Sequence, residues 1–527
     1  MIEIPFDTVA AVATPNWREH AAWPQPVMAS YRRGRDRIGT LLRAVSAIEN
    51  DESRQIAILA SCRMLVTALP LLELAYALDT QDERGMRIVG NDPLLSYLRG
   101  DGIRPEEAVN KFAPSEPNGG IVPPLLRHVA RTASWTPWRR LPATLLAPQV
   151  TALSHNTLLV DAACLDSQRI DFRRGGLIFN KAVSLHQART IEHRDALLVP
   201  MLEALGPGED LGEAYRDRWW RLARQIFLGV LEKAERDVKA VKDMDKLPEI
   251  AWLGGGGNWG NRALAAEIRR RGGRVSCFDH GHNRSLHDVH EWAALLEMLV
   301  ADRFVAPTKA LADRYAASPI RELLPPGEAP IFDSFGVATD LSPHIAPTRR
   351  RHGGGRPKVV YAPGIMRGFH TTIPAPLPDI LYFDLQMRVA ELLDALPVDV
   401  VCRPHPQGRL SGRRHPLEDI FPIANESFEQ LAKTADLFLF DDPNSRVLCQ
   451  AMVTDRAMVY LDIGVPYFHQ SILPMVAKRC TILRLAEDER GRAIIDSEAF
   501  EDAIRNPKKP DPEVLTALRR VMVADEV

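Results

Sequence analysis

Apolar residues over positions 248–336 fall into short runs of strand length that alternate with segments of helical spacing. Such alternation is typical of a parallel sheet with helices packed on its faces. The pattern therefore predicts an α/β unit in the middle of the chain. Its predicted elements are strands at 248–255, 274–279, 301–307 and 331–336, and helices at 261–271 and 308–317.

The same alternation returns after residue 357. A segment rich in arginine and glycine, 342–357, separates the two sets and is typical of a linker. Two successive α/β units joined near residue 350 are the predicted organisation. The second set consists of strands at 358–363, 398–404, 436–442 and 457–462, and helices at 385–396, 427–434, 446–453 and 512–523.

Helical spacing dominates the first 245 residues. A helix is predicted at 31–49, and the clearest amphipathic helix of the chain at 209–245. Between them, 55–61 and 85–90 have the length of strands and 64–78 has the spacing of a helix. This part therefore predicts a further β-α-β unit.

Composition narrows the protein class. A chain of 527 residues is too long to fold around one hydrophobic core. Its length therefore favours at least two domains. The formal net charge of −2 gives no basic field, so no nucleic-acid partner is expected. Six cysteines occur singly, which favours reduced thiols in the cytoplasm over disulfides or a zinc site.

Two segments bear on membrane contact. The most apolar stretch, 56–78, contains Arg63, Pro70 and Glu73, which favours a buried strand and helix over a membrane span. No secretory signal is visible at the N-terminus. Residues 134–142 combine tryptophan and arginine, so peripheral contact with the inner face of the membrane stays open beside a loop that packs its own aromatic rings.

A glycine-rich loop follows the first strand of the central unit. Gly255, Gly257 and Gly260 have the spacing of a dinucleotide fingerprint, and Asp279 ends the next strand. Glycines there let a phosphate approach the backbone at a helix N-terminus. Three interpretations stay open: an NAD(P) site, a site for the phosphates of another nucleotide, and a tight turn without ligand.

Histidines follow the next predicted strand. Asp279, His280 and His282 lie at its carboxyl end, where open α/β sheets bind their ligands. A histidine at this place suits a general base, because its ordinary pKa lies near neutral pH. Together with His287 and His290 the spacing matches no common metal site, so no metal is predicted.

Two more strand ends carry groups that suit phosphate. Arg403 and His405 follow one strand, on a backbone stiffened by prolines. Asp442, Asn444 and Ser445 follow another and precede a predicted helix. Asn and Ser there either cap the helix or hold a phosphate at its N-terminus.

With these motifs, residues 250–470 resemble bacterial transferases of surface polymers, above all the CDP-glycerol glycerophosphotransferase and capsule polysaccharide transferase group. The matches are His280 with Gly281, Tyr361-Ala-Pro followed by Arg367, Arg403-x-His405-Pro, and Asp442 to Ser445 in place of Asp-x-Ser-Ser. The resemblance implies the GT-B architecture, an α/β fold of two Rossmann-like domains that face each other across a cleft. It also implies a base at His280 and phosphate-binding roles for the other motifs.

The chain departs from the family pattern at three positions. Asn444 replaces the first serine, Arg367 lies one residue late, and the acid of the next helix is replaced near Cys449–Gln450. In the family that acid contacts the donor, so the departures bear on which donor is bound.

The resemblance divides the chain into four parts. These are a helical extension at 1–50, an acceptor domain with a helical insertion at 51–345, a nucleotide-donor domain at 355–490 and a helical tail at 491–527.

The implied function is transfer of a sugar or polyol phosphate from a CMP- or CDP-linked donor, in preference to a UDP-linked one. The acceptor would be a hydroxyl on a glycan, lipid-linked glycan or protein, and no cofactor besides the donor is implied. His280 would deprotonate the acceptor, and Arg403 and His405 would stabilise the leaving nucleotide without a metal. The alternatives are an NAD(P)-dependent oxidoreductase and a non-catalytic scaffold.

Overall fold

A computed structural model shows a mixed α/β protein built around two parallel sheets of six and five strands. It describes residues 1–6, 11, 16–109, 150–153, 158–159, 170–172, 194–280, 286–345, 355–366, 377–404, 415–443 and 445–525. The helices are α1 (Val27–Ser46), α2 (Asp51–Thr80), α3 (Pro93–Arg99), α4 (Pro105–Val109), α5 (Arg194–Leu205), α6 (Glu213–Lys242), α7 (Trp259–Arg270), α8 (His290–Ala293), α9 (Lys309–Ala317), α10 (Ile320–Leu323), α11 (Asp379–Asp394), α12 (Phe428–Thr434), α13 (Arg446–Met452), α14 (Leu473–Arg479), α15 (Ser497–Arg505) and α16 (Pro512–Met522). The strands are β1 (Ile2–Pro5), β2 (Met86–Val89), β3 (Val150–Ala152), β4 (Ile170–Phe172), β5 (Ile250–Leu253), β6 (Arg274–Phe278), β7 (Arg303–Ala306), β8 (Ile331–Ser334), β9 (Lys358–Ala362), β10 (Asp399–Cys402), β11 (Leu437–Phe440), β12 (Ala457–Asp462), β13 (Thr481–Arg484), β14 (Ala486–Glu487) and β15 (Ala493–Ile494).

The six-stranded sheet has the order β4-β3-β5-β6-β7-β8, and every neighbouring pair is parallel. Its last four strands and the helices α7 and α9 confirm the alternation predicted for the central unit. β3 and β4 were not predicted, because each has only three residues.

The five-stranded sheet has the order β10-β9-β11-β12-β13 and is also parallel throughout. Four of its strands and the helices α11, α12, α13 and α16 were predicted. Because all its strands run the same way, the residues after β9, β10, β11 and β12 lie at one edge of the sheet.

The predicted strand at 55–61 is wrong, and with it the β-α-β unit. One helix, α2, covers this region, and the side chain of Asn50 caps it by accepting from the backbone N–H of Ser53 at 2.9 Å. A short apolar run fits a buried helix as well as a buried strand, so periodicity could not separate them. The second predicted strand exists as β2, but it pairs with β1 in a separate two-stranded sheet.

α2 is apolar on nearly all sides because it is enclosed by other helices. It packs against α6, which confirms the predicted amphipathic helix, and against α1. Within the described residues, α2 is the one helix long and apolar enough to cross a membrane, yet 78% of its most apolar window is buried inside the fold. Burial in the protein accounts for its composition.

Two contacts link elements near the six-stranded sheet to elements near the five-stranded one, and a third links the N-terminal segment to α11. The segment after β6 forms an antiparallel bridge with the segment after β12, in which the Asp288 N–H donates to the Tyr467 carbonyl at 2.6 Å. α16 returns to pack on α9. At the other end of the chain, the Trp17 ring stacks on Phe383 of α11 at 4.7 Å.

Two arginines, one of them buried, hold the C-terminal end of α13. The side chain of Arg479 is fully buried, and it lies beside the carbonyl groups that end this helix. It donates to the carbonyl oxygens of Met452, Ala451, Thr454 and Arg456 at 2.7–3.0 Å. Arg519 of α16 donates to the Val453 carbonyl at 2.9 Å. These bonds satisfy carbonyl groups that the helix leaves unpaired.

We expect Arg479→Ala to lower the free energy of unfolding by about 3 kcal/mol or more, because it orphans several buried carbonyl groups. Arg505→Ala is the matched control, since Arg505 forms an exposed pair with Glu501 one turn away, worth under about 0.5 kcal/mol. Denaturant unfolding of both variants measures the difference. Equal midpoints would show that Arg479 does not anchor α13.

Candidate functional site

The carboxyl end of β6 presents a buried acid followed by an exposed histidine. The backbone N–H of Asp279 donates to the Val305 carbonyl at 3.0 Å, which keeps this residue against β7. Its side chain is 1% exposed and accepts from the Tyr315 hydroxyl at 3.4 Å. The next residue, His280, is exposed. The predicted acid is thus enclosed, whereas the predicted base reaches the surface.

α13 brings the five-stranded sheet to this strand end. Burial raises the pKa of the Cys449 thiol on α13, and the nearby carboxylates of Asp279 and Asp340 raise it further. Asp340, which follows β8, also forms an ion pair with Arg446 in the first turn of α13. Residues at the carboxyl ends of β6 and β8 and the helix that follows β11 therefore meet in one place.

Ser445 is the N-cap residue of α13, but its side chain makes no capping bond to that helix. The capping interpretation of this serine is therefore not supported by its geometry. Ser445 lies between β11 and α13, at the carboxyl edge of the five-stranded sheet.

A buried carboxylate organises that edge. Asp441 is fully buried and accepts from the hydroxyls of Tyr361 and Tyr382, each at 2.6 Å, and from the backbone N–H of Gly364 at 2.7 Å. Burial raises the pKa of Asp441 to about 6, against the lowering effect of these three bonds. Asp441 thus ties the turn after β9 and α11 to the end of β11.

Gly364 sits where no side chain fits. A Cβ atom at this position would lie 1.9 Å from the Tyr382 hydroxyl and 2.4 Å from the Cβ of Asp442. The predicted binding residue Asp442 is therefore packed against the turn after β9 and is 7% exposed. Its neighbour Asp441, which sequence reasoning did not single out, carries the bonds that hold the turn.

Arg403 follows β10 at the same edge. Its backbone N–H donates to the Tyr361 carbonyl at 2.8 Å, and its side chain donates to the Glu426 carbonyl at 3.4 Å. The side chain is half-buried, so its guanidinium remains accessible at the edge predicted to hold phosphate.

In the glycine loop, the residue that must be glycine is Gly256. A Cβ there would lie 2.7 Å from the Leu296 carbonyl oxygen and 3.0 Å from that of Glu297. Gly255 has open space around it, and Gly257 meets only ordinary contact with Leu296. The close approach at this loop is therefore made by the chain's own π-helical turn after α8.

His344 is a further residue that the motifs did not reveal. It lies in the turn after β8, its side chain is 2% exposed, and its Nε2 atom is 3.7 Å from Glu429 at the start of α12. Burial lowers its pKa, although Glu429 acts in the opposite direction. A lone histidine in a linker gives no sequence signal, because only the fold brings α12 against it.

Four predicted residues lie outside the described residues: His282, Arg367, His405 and Asn444. Their roles stay predictions. Within the part of the chain that the structure describes, no three His, Cys, Asp or Glu side chains are grouped to hold a metal ion.

No protein-family model matches the chain, and no match is found among curated proteins.

We expect the pH dependence of stability to change in Asp441→Asn. Because the folded-state pKa is raised from 3.8 to about 6, Asp441 contributes stability at low pH that is lost as the pH rises through this window. The wild-type protein should lose up to about 3 kcal/mol relative to the variant between pH 4 and 7. Unfolding of both proteins at several pH values measures this difference, and a constant difference would contradict it.

Proposed function

We propose that the protein is a transferase of the GT-B type, whose two parallel sheets are the cores of two domains with an active-site cleft between them. It would transfer a sugar or polyol phosphate from a CMP- or CDP-linked donor to a hydroxyl acceptor, in the cytoplasm or at the inner face of the membrane. The observation that carries the proposal is the meeting of the end of β6 with α13. Asp279, next to the predicted base, and Cys449, near the predicted nucleotide-binding segment, lie close together although they are more than 160 residues apart in the sequence, which supports the proposal.

The exposure of the two adjacent residues after β6 supports a division of roles. His280 is exposed and would take the proton from the acceptor hydroxyl. Asp279 is enclosed, accepts a hydrogen bond from Tyr315 and lies close to α13. It would therefore hold this strand end, and with it the base, in position. His282 would assist from the following loop.

The edge after β10 and β11 would bind the donor. Arg403 and His405 would hold the nucleotide phosphates. The hydroxyl of Ser445, which makes no capping bond to α13, would add a hydrogen bond. Arg367 and Asn444 would complete this side. Asp441 and Asp442 are acidic side chains at the same edge and would repel an anionic ligand. The ligand would therefore need hydrogen-bond donors from cationic or neutral side chains such as these.

The packing of the glycine loop favours the transferase over an NAD(P)-dependent oxidoreductase. In a dinucleotide site the glycines make room for the pyrophosphate. Here the closest approach, at Gly256, is made by the carbonyl groups of Leu296 and Glu297. Gly255 and Gly257 would then contribute to a nucleotide site only through their exposed backbone.

Separation of binding from turnover tests the proposal. We expect CDP or CMP to raise the melting temperature of the wild-type protein. His280→Ala should keep this stabilisation and lose about 10²–10⁴-fold in transfer to a hydroxyl acceptor, because it removes the base. Arg403→Ala should weaken nucleotide binding about tenfold or more, because it removes a charged hydrogen bond to phosphate.

Arg104→Ala is the control for the arginine, since Arg104 is exposed and pairs with Glu107 in the adjoining helix α4. Stabilisation by NAD(P) and by no cytidine nucleotide would overturn the transferase. Nucleotide binding without transfer to any acceptor, in wild-type and His280→Ala alike, would favour the non-catalytic scaffold.

A further inference from the structure

Histidines from two distant parts of the chain face each other where the segment after β6 meets the segment after β12. We call this contact the junction, and it consists of residues 286–290 and 467–471. Next to the backbone bond described above, the N–H of His469 donates to the Leu286 carbonyl at 2.8 Å. The ring of His290 lies 5.8 Å from that of His469, measured between centroids. Each side of the junction thus contributes one histidine to the same contact.

The imidazole of His469 is held as a hydrogen-bond acceptor. Its Nδ1 atom accepts the backbone N–H of Ser471 at 3.2 Å and lies 2.7 Å from the hydroxyl of the same serine. That hydroxyl accepts from Arg314 of α9 at 2.7 Å, and the guanidinium itself is 3.5 Å from Nδ1. A proton on Nδ1 would therefore turn the acceptor into a donor among other donors, and it would place a positive charge beside an arginine.

His290 is partly enclosed among charged groups of both signs. Its side chain is 13% exposed, and its Nε2 atom is 3.4 Å from a carboxylate oxygen of Asp288. Burial lowers the pKa of His290, and His469 and Arg35 act in the same direction, whereas Asp288 and Glu291 raise it. Both carboxylates already pair with Arg35 of α1, at 3.3 Å and 2.9 Å. They therefore compensate only in part for a charge on His290.

Aromatic rings enclose the rest of the junction. A third histidine, His287, is 1% exposed, and its ring contacts those of Tyr467 at 6.1 Å and Phe468 at 5.4 Å. Tyr31 of α1 meets Tyr467 edge-on at 5.8 Å. Because these rings take the place of water, a positive charge in the junction would be poorly solvated.

We propose that the junction is a proton-sensitive switch, closed at neutral pH and opened when His290 and His469 take up protons. The protonated rings would be two like charges in a half-buried contact, and Arg35 and Arg314 would add to the repulsion from two sides. The switch does not depend on the proposed transfer reaction, because its groups belong to the junction, α1 and α9.

The sign of the pH dependence follows from the lowered pKa of His290. A histidine whose pKa is lowered by folding stabilises the folded contact above its ordinary pKa of about 6.5. This stability is lost as the pH falls below that value, because the open form then binds the proton more tightly. The junction should therefore be closed at neutral pH and weaken in mild acid.

Amide hydrogen exchange of the full-length protein at about pH 7.5 and about pH 5 tests the switch. The N–H groups of Asp288 and His469 report on it, because both donate across the junction. After correction for the intrinsic pH dependence of exchange, both should exchange about tenfold faster at the lower pH in the wild type. The N–H of Leu439, inside β11, is the internal reference and should not change.

The double variant His290→Gln with His469→Asn removes both titrating rings. Gln keeps a donor near the place of the His290 Nε2 atom, and Asn keeps an acceptor near that of the His469 Nδ1 atom. This variant should exchange like the wild type at neutral pH and lose most of the rise in acid. His20→Gln, in the turn Trp17–His20 outside the junction, is the matched control and should keep the rise.

No rise in the wild type, or an equal rise in the double variant, would overturn the switch. An equal rise at Leu439 would also overturn it, because it would show global unfolding in acid. The melting temperature at neutral pH shows whether the double variant is folded. If it is not, the single variants His290→Gln and His469→Asn decide the matter, since each should reduce the rise and an unchanged rise in both would contradict the proposal.

Discussion

The geometry of the candidate site depends on how α13 is held. This helix has seven residues, too few to be stable by itself, so its position is set by its surroundings. Arg479 and Arg519 bind the carbonyl groups at and just beyond its C-terminal end. At its start, Arg446 pairs with Asp340. One short helix is thus fastened at both ends, and Asp279 at the end of β6 lies close to its Cys449.

The edge of the five-stranded sheet is supported from below by a buried acidic group. Asp441 is enclosed with two tyrosines, and burial raises the pKa of both tyrosines well above the ordinary range. These groups form a rigid, closed support beneath the edge. Because this support is acidic, the anionic donor proposed above would have to bind outside it, on the side of Arg403.

Regular alternation made most of the two sheets predictable from the sequence. β5 to β12 and the helices α7, α9, α11, α12 and α13 follow apolar runs bounded by Gly, Pro and Asp, which local rules recognise, whereas the four-residue helices α8 and α10 were not predicted. The strand predicted at 55–61 was wrong because α2 is buried on nearly all sides and lacks the polar face by which a helix is recognised. The sites show the same limit. Strand ends could be located, yet the supporting roles of Asp441, Asp340 and His344 depend on contacts between residues about 80 or more positions apart.

The start of the chain ties the two-stranded sheet to α11 in a way that no motif indicates. β1 pairs with β2, while the residues after it stack Trp17 on Phe383 and pair Arg18 with Asp384, both on α11. The same helix places Tyr382 against Asp441. A rotation of α11 about its axis would therefore move the N-terminal segment and the support of the sheet edge together, because Tyr382, Phe383 and Asp384 are consecutive residues of this helix. Packing at 382–384 thus couples the N-terminal segment to the edge where the donor is proposed to bind, through side chains that have little room to move independently.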